Sequence, residues 1–396
     1  MNNSSNINYQ EKILSQNIEE IVYNNIKNLS KKIAECQNII KNSITNDTSQ
    51  FKRNLANNHI SNHIAVAVSG GADSLALTLI LNKFAQINNY QLTAITVNHQ
   101  IRDNSTLETI HLGNILAEKQ IKHQIIALNK NILPKSNIEE KLRELRYMAI
   151  SNYCKQNNID LVFLGHQQDD LAENFLIRLF RGSGIEGLSA IEEVKILYNT
   201  ILIRPMLNIS KKQIVNYLEQ EKTQHIEDES NTDLKFRRNQ IRMFINSLND
   251  AEQVKARISQ TAKFVSKIKD RQDQDFINKI NFSLNFNLKE QKFNFSYQSF
   301  IALDSEIATK LLKEILIILS SNTHQPRQQK LQNLYLAIIE PNFKNTNLSH
   351  CKALLNNDIR SIGSSDILKS AITEYNNQSV NIKLNKSIIF CTISIE

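Results

Sequence analysis

The stretch Ser69-Gly70-Gly71-Ala72-Asp73-Ser74 decides how this chain folds. It follows an apolar run at residues 64–68 and precedes an amphipathic segment at 75–86, the order of a buried strand, a turn and a helix. Glycines at a helix start let backbone N–H groups approach a ligand closely, and the helix dipole favours an anion there. The Walker lysine is missing, and Asp73 stands at the lip instead. This predicts a cradle that binds pyrophosphate while ATP is split between its α and β phosphates; the competing interpretation is a plain Gly-Gly turn.

The composition limits the classes to which the protein can belong. Its 396 residues exceed the usual size of one hydrophobic core, which predicts two or three domains. A net charge of +8 and a pI near 9.1 favour a polyanionic partner, above all nucleic acid. No apolar run is long enough to span a bilayer and no signal-peptide pattern opens the chain, so we expect a cytoplasmic protein without membrane contact. The four cysteines form no C-x-x-C pair, which argues against zinc, an iron–sulfur cluster and a disulfide framework.

Short apolar runs alternate with helical patterns from residue 64 onward. The runs lie at 64–68, 92–97, 123–128 and 161–165, and a shorter one follows at 201–203. Strands separated by whole helices cannot pair as hairpins, so the pattern predicts crossovers onto a parallel sheet in a doubly wound α/β domain. Ligands of such sheets bind at the carboxyl ends of the strands.

The patterns outside this domain predict further parts of the chain. Amphipathic spacing before residue 41 indicates one or two helices, long helical segments follow residue 249, and the alternation in the tail from residue 380 suggests a hairpin. The expected division is a helical extension with a linker over 1–60, the α/β domain over 61–249, a helical domain over 250–340, and a small C-terminal α+β region over 341–396.

Polar side chains follow the second and fourth predicted strands. Asn98 comes at the end of the second strand, where it either reads an adenine edge or serves as a turn residue. His166, Asp169, Asp170 and Glu173 follow the fourth strand. Asp169 alone would suit a helix N-cap and Asp170 a first-turn carboxylate. The four together, with Asp169 and Glu173 at i, i+4, predict instead an acidic pocket that holds Mg²⁺ or takes a proton from an amine.

Arginines occur in three places near these strand ends. Arg143 and Arg146 share a helix face that either is solvated or reaches the site and neutralises phosphates. A second group follows the acidic run at 227–233. This group is either solvated surface or, at Arg237, Arg238 and Arg242, the clustering of positive charge that an RNA partner needs. Arg181 lies at the end of the helix that follows the fourth strand.

These motifs together resemble the tRNA(Ile)-lysidine synthetase family of the PP-loop ATPase superfamily. The match runs through the loop at 69–74, residues 97–102, 165–174, 181–184 and 227–242, with shorter matches at 143–147 and 204–207. The loop marks only the superfamily, whereas Glu-Asp-x-Ser-Asn-x-Asp followed by Arg-Asn-x-x-Arg narrows the match to this family. Departures occur at Gln100, Gln167 and Asn174.

The resemblance implies adenylation of the wobble cytidine in the CAU anticodon of an isoleucine tRNA, followed by attack of free lysine. It assigns ATP to residues 69–74 with Asn98 and His166. It assigns lysine recognition and proton removal to Asp73 and Glu173, and stabilisation of the adenylated intermediate to Arg143 and Arg146. The remaining assignments are Mg²⁺ at Asp169 and Asp170, and tRNA at Arg181, Arg237, Arg238 and Arg242. The resemblance also implies that residues 61–249 form the ATP-binding catalytic domain and that the helical domain over 250–340 binds tRNA. The oligomeric state is left open, with a homodimer as one candidate.

Other functions share parts of this pattern. tRNA sulfurtransferases of the same superfamily generally need thiolates near the site or a cluster, which dispersed cysteines do not supply. NAD and GMP synthetases have the loop without the arginine-rich helix. The alternatives kept here are another PP-loop tRNA-modifying enzyme and a tRNA-binding protein with an inactive loop.

Overall fold

The protein is described here from a computed structural model. It describes residues 17–43, 61–98, 105–128, 138–226, 237–280, 285–287, 292–320, 328–340, 346–348, 351–356, 359–364, 380–385 and 388–395. The chain divides into two compact units, residues 1–269 and 270–396. Within the described ranges, no helix has both the length and the apolar character that a bilayer span requires.

The first unit is built on a six-stranded sheet. Its strands are β1 (His63–Ala67), β2 (Gln91–Asn98), β3 (Lys122–Ala127), β4 (Leu161–Leu164), β5 (Val194–Leu197) and β6 (Thr200–Ile203). Its helices are α1 (Ile18–Ser43), α2 (Ala72–Asn88), α3 (Ser105–Glu118), α4 (Ile138–Gln156), α5 (Gln168–Leu179), α6 (Ile185–Leu188), α7 (Lys211–Gln220), α8 (Arg237–Asn246) and α9 (Ala251–Lys279), the last of which continues into the second unit.

The strand order of this sheet is β3-β2-β1-β4-β6-β5. The chain proceeds outward from β1 to β3 and then crosses to β4 on the other side of β1. The order of the strands therefore reverses between β1 and β4, which is the switch point where doubly wound sheets bind ligands. All pairs are parallel except β5 with β6, so the predicted doubly wound α/β fold is confirmed with one antiparallel edge strand.

Burial explains why these runs form the central strands. All four residues of β4 are buried, and so are the three middle residues of β1. A continuous apolar run is typical of a parallel strand covered on both faces. The edge strand β5 was not predicted because its pattern is short; it turns into β6 through Tyr198 and Asn199, both of which have positive φ.

The helix α1 packs on this unit through both polar and aromatic contacts. The Lys83 ammonium lies 2.7 Å from a Glu19 carboxylate oxygen, and the Tyr217 hydroxyl donates to the same oxygen at 2.9 Å. The Tyr23 ring lies 5.3 Å from the Phe84 ring. These contacts attach α1 to α2 and α7, the helices that begin beside the carboxyl ends of the strands.

The second unit combines helices with an antiparallel sheet. Its helices are α10 (Tyr297–Ile301), α11 (Ser305–Ser320) and α12 (Gln328–Ile339). Its strands are β7 (Asn285–Asn287), β8 (Lys292–Ser296), β9 (Thr346–Leu348), β10 (Cys351–Asn356), β11 (Ile359–Ser364), β12 (Val380–Asn385) and β13 (Ile388–Ile395), in the order β13-β12-β7-β8-β11-β10-β9. The tail hairpin predicted from residue 380 is present as β12 and β13. Two strands, β7 and β8, lie inside the segment predicted as helical.

Candidate active site

The loop between β1 and α2 leaves its backbone donors open. Gly71 is the N-cap residue of α2, and no side chain caps this helix start. The first N–H groups of a helix have no partner within the helix, so those of the first turn are available to a ligand. Hydroxyl groups brace the loop from within, because Ser74 Oγ donates to the Gly71 carbonyl at 3.0 Å and accepts from the Ser69 N–H at 3.1 Å. The predicted phosphate cradle therefore has the geometry of an anion site.

Two glycines fix the shape of this cradle. Gly70 has a φ of +90°, and an added Cβ would lie 2.8 Å from the Cδ1 of Ile226. Gly165, just after β4, passes so close to α2 that a Cβ would lie 2.9 Å from the Cα and N of Ser74. Backbone cannot move aside as a flexible side chain can, so Gly165 is required for β4 to pack against the start of α2.

Asp73 lies at the lip of the cradle, as predicted. Its carboxylate is 2.7 Å from the Lys211 ammonium at the start of α7. Burial raises the pKa of Asp73, and Lys211 acts in the opposite direction. The negative charge of Asp170 raises the Asp73 pKa further.

The helix α5, which follows β4, has a closed start. Gln167 is the N-cap, and its side chain accepts from the Asp169 N–H at 2.7 Å. Asp170 completes a capping box by accepting from the Gln167 N–H at 2.8 Å. The alternative assignment of Asp169 as N-cap is therefore wrong, whereas Asp170 does lie in the first turn.

Arginines of α8 bind the remaining carboxylates of α5. Arg242 Nε lies 2.7 Å from Glu173, and Arg238 bridges Glu173 and Asp170. Glu173 is only 1% exposed. The two arginines are one helical turn apart, so α8 presents both to the same face of α5.

Asp169 is engaged elsewhere, by the buried Lys255 of α9 at 3.0 Å. Burial raises the pKa of Asp169, and Lys255 lowers it. The predicted acidic pocket is thus divided: Asp169 pairs with α9, while Asp170 and Glu173 pair with α8. Among the residues that the structure describes, no group of three metal-ligating side chains comes together.

His166 lies among positive charges. Burial lowers the pKa of His166 well below its usual value, and nearby guanidinium groups lower it further, so the imidazole is neutral. Those groups belong to Arg204, Arg143, Arg238 and Arg146. Four cations around one neutral histidine form an environment suited to an anion. Arg143 and Arg146 act on His166 through their charge, and both side chains are exposed.

The other predicted residues occupy three surroundings. Asn98 is buried at the carboxyl end of β2. Arg181 is exposed after α5, and Arg237 is exposed at the start of α8, where its guanidinium lies 5.9 Å from the Phe180 ring. Residues 99–102 and 227–236, which the sequence also singled out, lie outside the described residues.

Sequence reasoning missed three basic residues of this region. Lys211 and Lys255 pair with Asp73 and Asp169, and buried Arg204 donates to the Glu192 carbonyl at 2.7 Å. These pairings join segments far apart in the chain, so no local pattern predicts them. The one available signal was Arg204, which stands in the Arg-Pro-Met-Leu match with no assigned role.

An uncapped glycine cradle at the switch point of a doubly wound sheet, with an acid in place of the Walker lysine, defines a PP-loop nucleotide-binding domain. The profile of a family described as a PP-loop domain matches residues 44–249, just over half of the chain. The tRNA(Ile)-lysidine synthase of Wolbachia pipientis wMel is 31% identical over 328 residues, which cover 82% of this chain and 74% of that protein. The chain belongs to the tRNA(Ile)-lysidine synthase family, as its motifs predicted.

Two further proteins are similar to this chain. The tRNA(Ile)-lysidine synthase of Rickettsia felis is 33% identical over 298 residues, 74% of this chain and 67% of that protein. Among solved structures, the U34-tRNA thiolase NcsA from Methanococcus maripaludis aligns with a TM-score of 0.46 and 18% identity, covering 59% of this chain and 80% of that one.

Proposed function

We propose that the protein converts the wobble cytidine of the CAU anticodon of isoleucine tRNA to lysidine, with ATP and free lysine as co-substrates. Membership of the lysidine synthase family and the open cradle at 69–74 together carry this proposal. The cytidine O2 attacks the α-phosphorus and pyrophosphate leaves. The lysine ε-amine then attacks C2, AMP leaves, and the amine gives up a proton.

The first step needs donors for the leaving pyrophosphate. The free N–H groups at the start of α2 and the Ser69 hydroxyl would bind its phosphates, while Gly70 and Gly71 allow the close approach. The guanidinium groups around His166, including Arg143 and Arg146, would stabilise the negative charge of the adenylated intermediate. Asn98 ends β2 and the neutral His166 follows β4, the two strands that flank β1, so both lie at the same edge of the sheet and would contact the nucleotide.

The second step needs a carboxylate for the lysine ammonium. Asp73 is partly exposed at the cradle and its pKa is raised, so it is the better proton acceptor of the two acids predicted for this role. Glu173 is buried against Arg238 and Arg242, and we assign it the positioning of those arginines. The Lys211 ammonium occupies the position beside Asp73 that the substrate ammonium would take, so Lys211 would move away from Asp73 when lysine binds.

The site offers enough carboxylates to hold Mg²⁺ together with the phosphates of the substrate. The ion commonly takes one or two carboxylates together with substrate phosphates and water, and bound there it would neutralise phosphate charge. Asp73 and Asp170, whose charges interact across the switch point, suit that arrangement. Asp73 and Asp170 pair with the partly exposed Lys211 and Arg238, whereas Asp169, predicted with Asp170, pairs with the buried Lys255 and is the weaker candidate.

The remaining assignments are also proposals. Arg181, Arg237, Arg238 and Arg242 would bind tRNA or orient the groups that do, the enzyme would act in the cytoplasm, and a homodimer remains one candidate for its assembly. Sedimentation of the purified chain with and without tRNA would test the last point.

A direct assay tests the reaction. The protein is incubated with ATP, labelled lysine and isoleucine tRNA bearing CAU, in parallel with a tRNA whose wobble cytidine is replaced by uridine. We expect label in the first tRNA only. Equal labelling of both, or of neither, would refute the proposal, and exchange of pyrophosphate into ATP without lysine incorporation would indicate another PP-loop enzyme.

A further inference from the structure

The outer face of α8 carries side chains that take no part in the two chemical steps proposed above. Arg237, Gln240 and Phe244 follow one another at spacings of three and four residues, so they line one side of the helix. Phe180, at the end of α5, extends this line at the Arg237 end. We call these four residues the α8 stripe. Its opposite side holds Arg238, whose guanidinium enters the active site.

The two aromatic side chains of the stripe are open to water. Phe180 is 55% exposed and Phe244 is 51% exposed. Single exposed apolar side chains are common on proteins, but aromatic side chains that share one surface with cations indicate a binding site. The Arg237 guanidinium already lies 5.9 Å from the Phe180 ring, in a cation–π contact, and Arg237 also donates to the Gln240 amide oxygen at 3.3 Å.

We propose that the α8 stripe binds unpaired nucleotides of the RNA substrate by stacking bases on Phe180 and Phe244. This inference rests on the proposed function, because it takes the substrate to be a tRNA. Proteins commonly bind single-stranded RNA through aromatic side chains that lie close to arginine and amide groups. The aromatic rings stack on the bases, and the cations bind the phosphates.

The chemistry of the surface favours RNA over a protein partner. The charged members and neighbours of the stripe, Arg237 and Arg181, are both cationic and exposed, which complements a phosphate backbone. Arg237 and Phe244 lie two helical turns apart, about 10 Å along the axis, so the two rings would receive different bases. The stripe and the active-site arginines, Arg238 and Arg242, occupy opposite sides of one helix, so RNA held on the stripe would lie about one helix diameter, on the order of 10 Å, from those arginines.

Binding of an anticodon stem-loop to the full chain tests the stripe without ATP. The loop carries 2-aminopurine in turn at each unpaired position, which reports stacking by its fluorescence, and anisotropy gives the affinity. We expect Phe180→Ala and Phe244→Ala each to weaken binding about tenfold. Phe180→Trp, which keeps an aromatic ring at this position, should bind as tightly as the wild type. Ile87→Ala serves as the matched control, because Ile87 is an apolar side chain 69% exposed near the end of α2.

Turnover measurements separate stacking from catalysis. The alanine variants should raise the KM for tRNA by a factor similar to the loss in affinity and leave kcat and ATP binding unchanged. Unaltered RNA affinity in both alanine variants would overturn the stripe while leaving the lysidine reaction intact. Rescue of binding by Phe180→Leu as fully as by tryptophan would also overturn it, because leucine cannot stack. A change in sedimentation of the RNA-free protein would instead make the stripe a contact between copies of the chain.

Discussion

Two helices begin side by side at the switch point of the sheet, and they begin differently. The start of α2, after β1, has no side-chain cap and Gly71 at its N-cap position. The start of α5, after β4, is closed by the Gln167 and Asp170 capping box. Both follow buried parallel strands, so the strands do not account for the difference.

The two helix starts suit different tasks: the start of α2 can bind a ligand, and the start of α5 can hold side chains in position. An uncapped helix start leaves N–H groups and a positive dipole end for a ligand, at a cost in stability. A capped start satisfies its own donors and can hold carboxylates in fixed positions, as α5 does for Asp170 and Glu173. The open end would therefore hold the phosphates, and the closed end would position the charges around them.

Replacing Glu173 with Gln tests the supporting end most severely. The buried carboxylate pairs with Arg238 and Arg242, and removing its charge should lower the free energy of unfolding by about 3 kcal/mol. Urea denaturation measures this. Glu193→Gln, which removes an exposed pair with Lys32, should cost less than about 0.5 kcal/mol. Equal small losses in both variants would show that the clamp on α5 contributes little.

Replacing Gly165 with Ala tests how the two ends pack together. The added Cβ would meet the backbone of Ser74, so we expect a loss of about 2 kcal/mol in stability. ATP affinity should fall at least tenfold because the cradle itself is displaced. Gly184→Ala is the control, since open space surrounds that position. Calorimetry that finds normal ATP binding in the Gly165 variant would argue against a cradle at the start of α2.

Replacing Gln167 with Ala opens the closed end. Loss of a cap costs about 1 kcal/mol, and thermal denaturation should show a decrease of that size. ATP affinity should change little, because the donors that bind phosphate belong to α2. If the variant loses affinity and keeps its stability, α5 rather than α2 binds the nucleotide.

Replacing Lys211 with Met changes the pKa of Asp73, the acid beside the uncapped start of α2. Lys211 counteracts the effect of burial on Asp73, so the variant raises the Asp73 pKa further. A carboxyl whose folded-state pKa lies above its unfolded value gives stability that is full below the unfolded pKa and lost as pH rises through the folded pKa. The variant should therefore be less stable than the wild type near pH 7, by under about 1 kcal/mol because the pair is partly exposed.

The same change predicts the pH behaviour of Lys211→Met. The stability difference from the wild type should shrink as the pH falls toward about 4, and the acidic limb of lysidine formation should move to higher pH. Urea titrations and rate profiles across that range measure both. A difference in stability that does not vary with pH would exclude Asp73 as the group involved.

Replacing Gly71 with Ser closes the open end. The backbone there is extended, with a φ of −66°, and an added Cβ would lie 3.8 Å from the Ser69 Oγ, so the side chain fits and can cap α2. We expect stability to rise by a few tenths of a kcal/mol, roughly the difference between Ser and Gly caps, while ATP affinity falls. Unchanged affinity would mean that these N–H groups do not bind the phosphates.

The sequence predicted the parts of this comparison that local patterns determine. The strands β1 to β4 and the helix at 211–220 were expected within a residue or two, because apolar runs and capping signals are local. The antiparallel edge strand β5 was missed, as were β7 and β8, since short strands gain their stability from partners distant in the chain.

The site followed the same rule. The cradle could be read from Ser69 to Ser74, whereas the pairing of Asp73 with Lys211 and of Asp169 with Lys255 could not. The identity of the α5 cap also escaped prediction. Asp169 is the commoner N-cap type, but Gln167 forms an isolated bridge with Met206 of the adjoining segment, which places the cap two residues earlier.

Helix α8 links two of these regions in a thermodynamic sense. It binds Glu173 and Asp170 on one side and presents Phe244 and Arg237 on the other, so it cannot shift without disturbing both. If RNA binds more tightly to one position of α8, it favours that position. The same position determines how the arginines of α8 contact the carboxylates beside the cradle. If bound RNA changes the affinity for the nucleotide by some factor, a nucleotide bound in the cradle must change the affinity for RNA by the same factor. The order in which the two substrates bind would then depend on the position of α8.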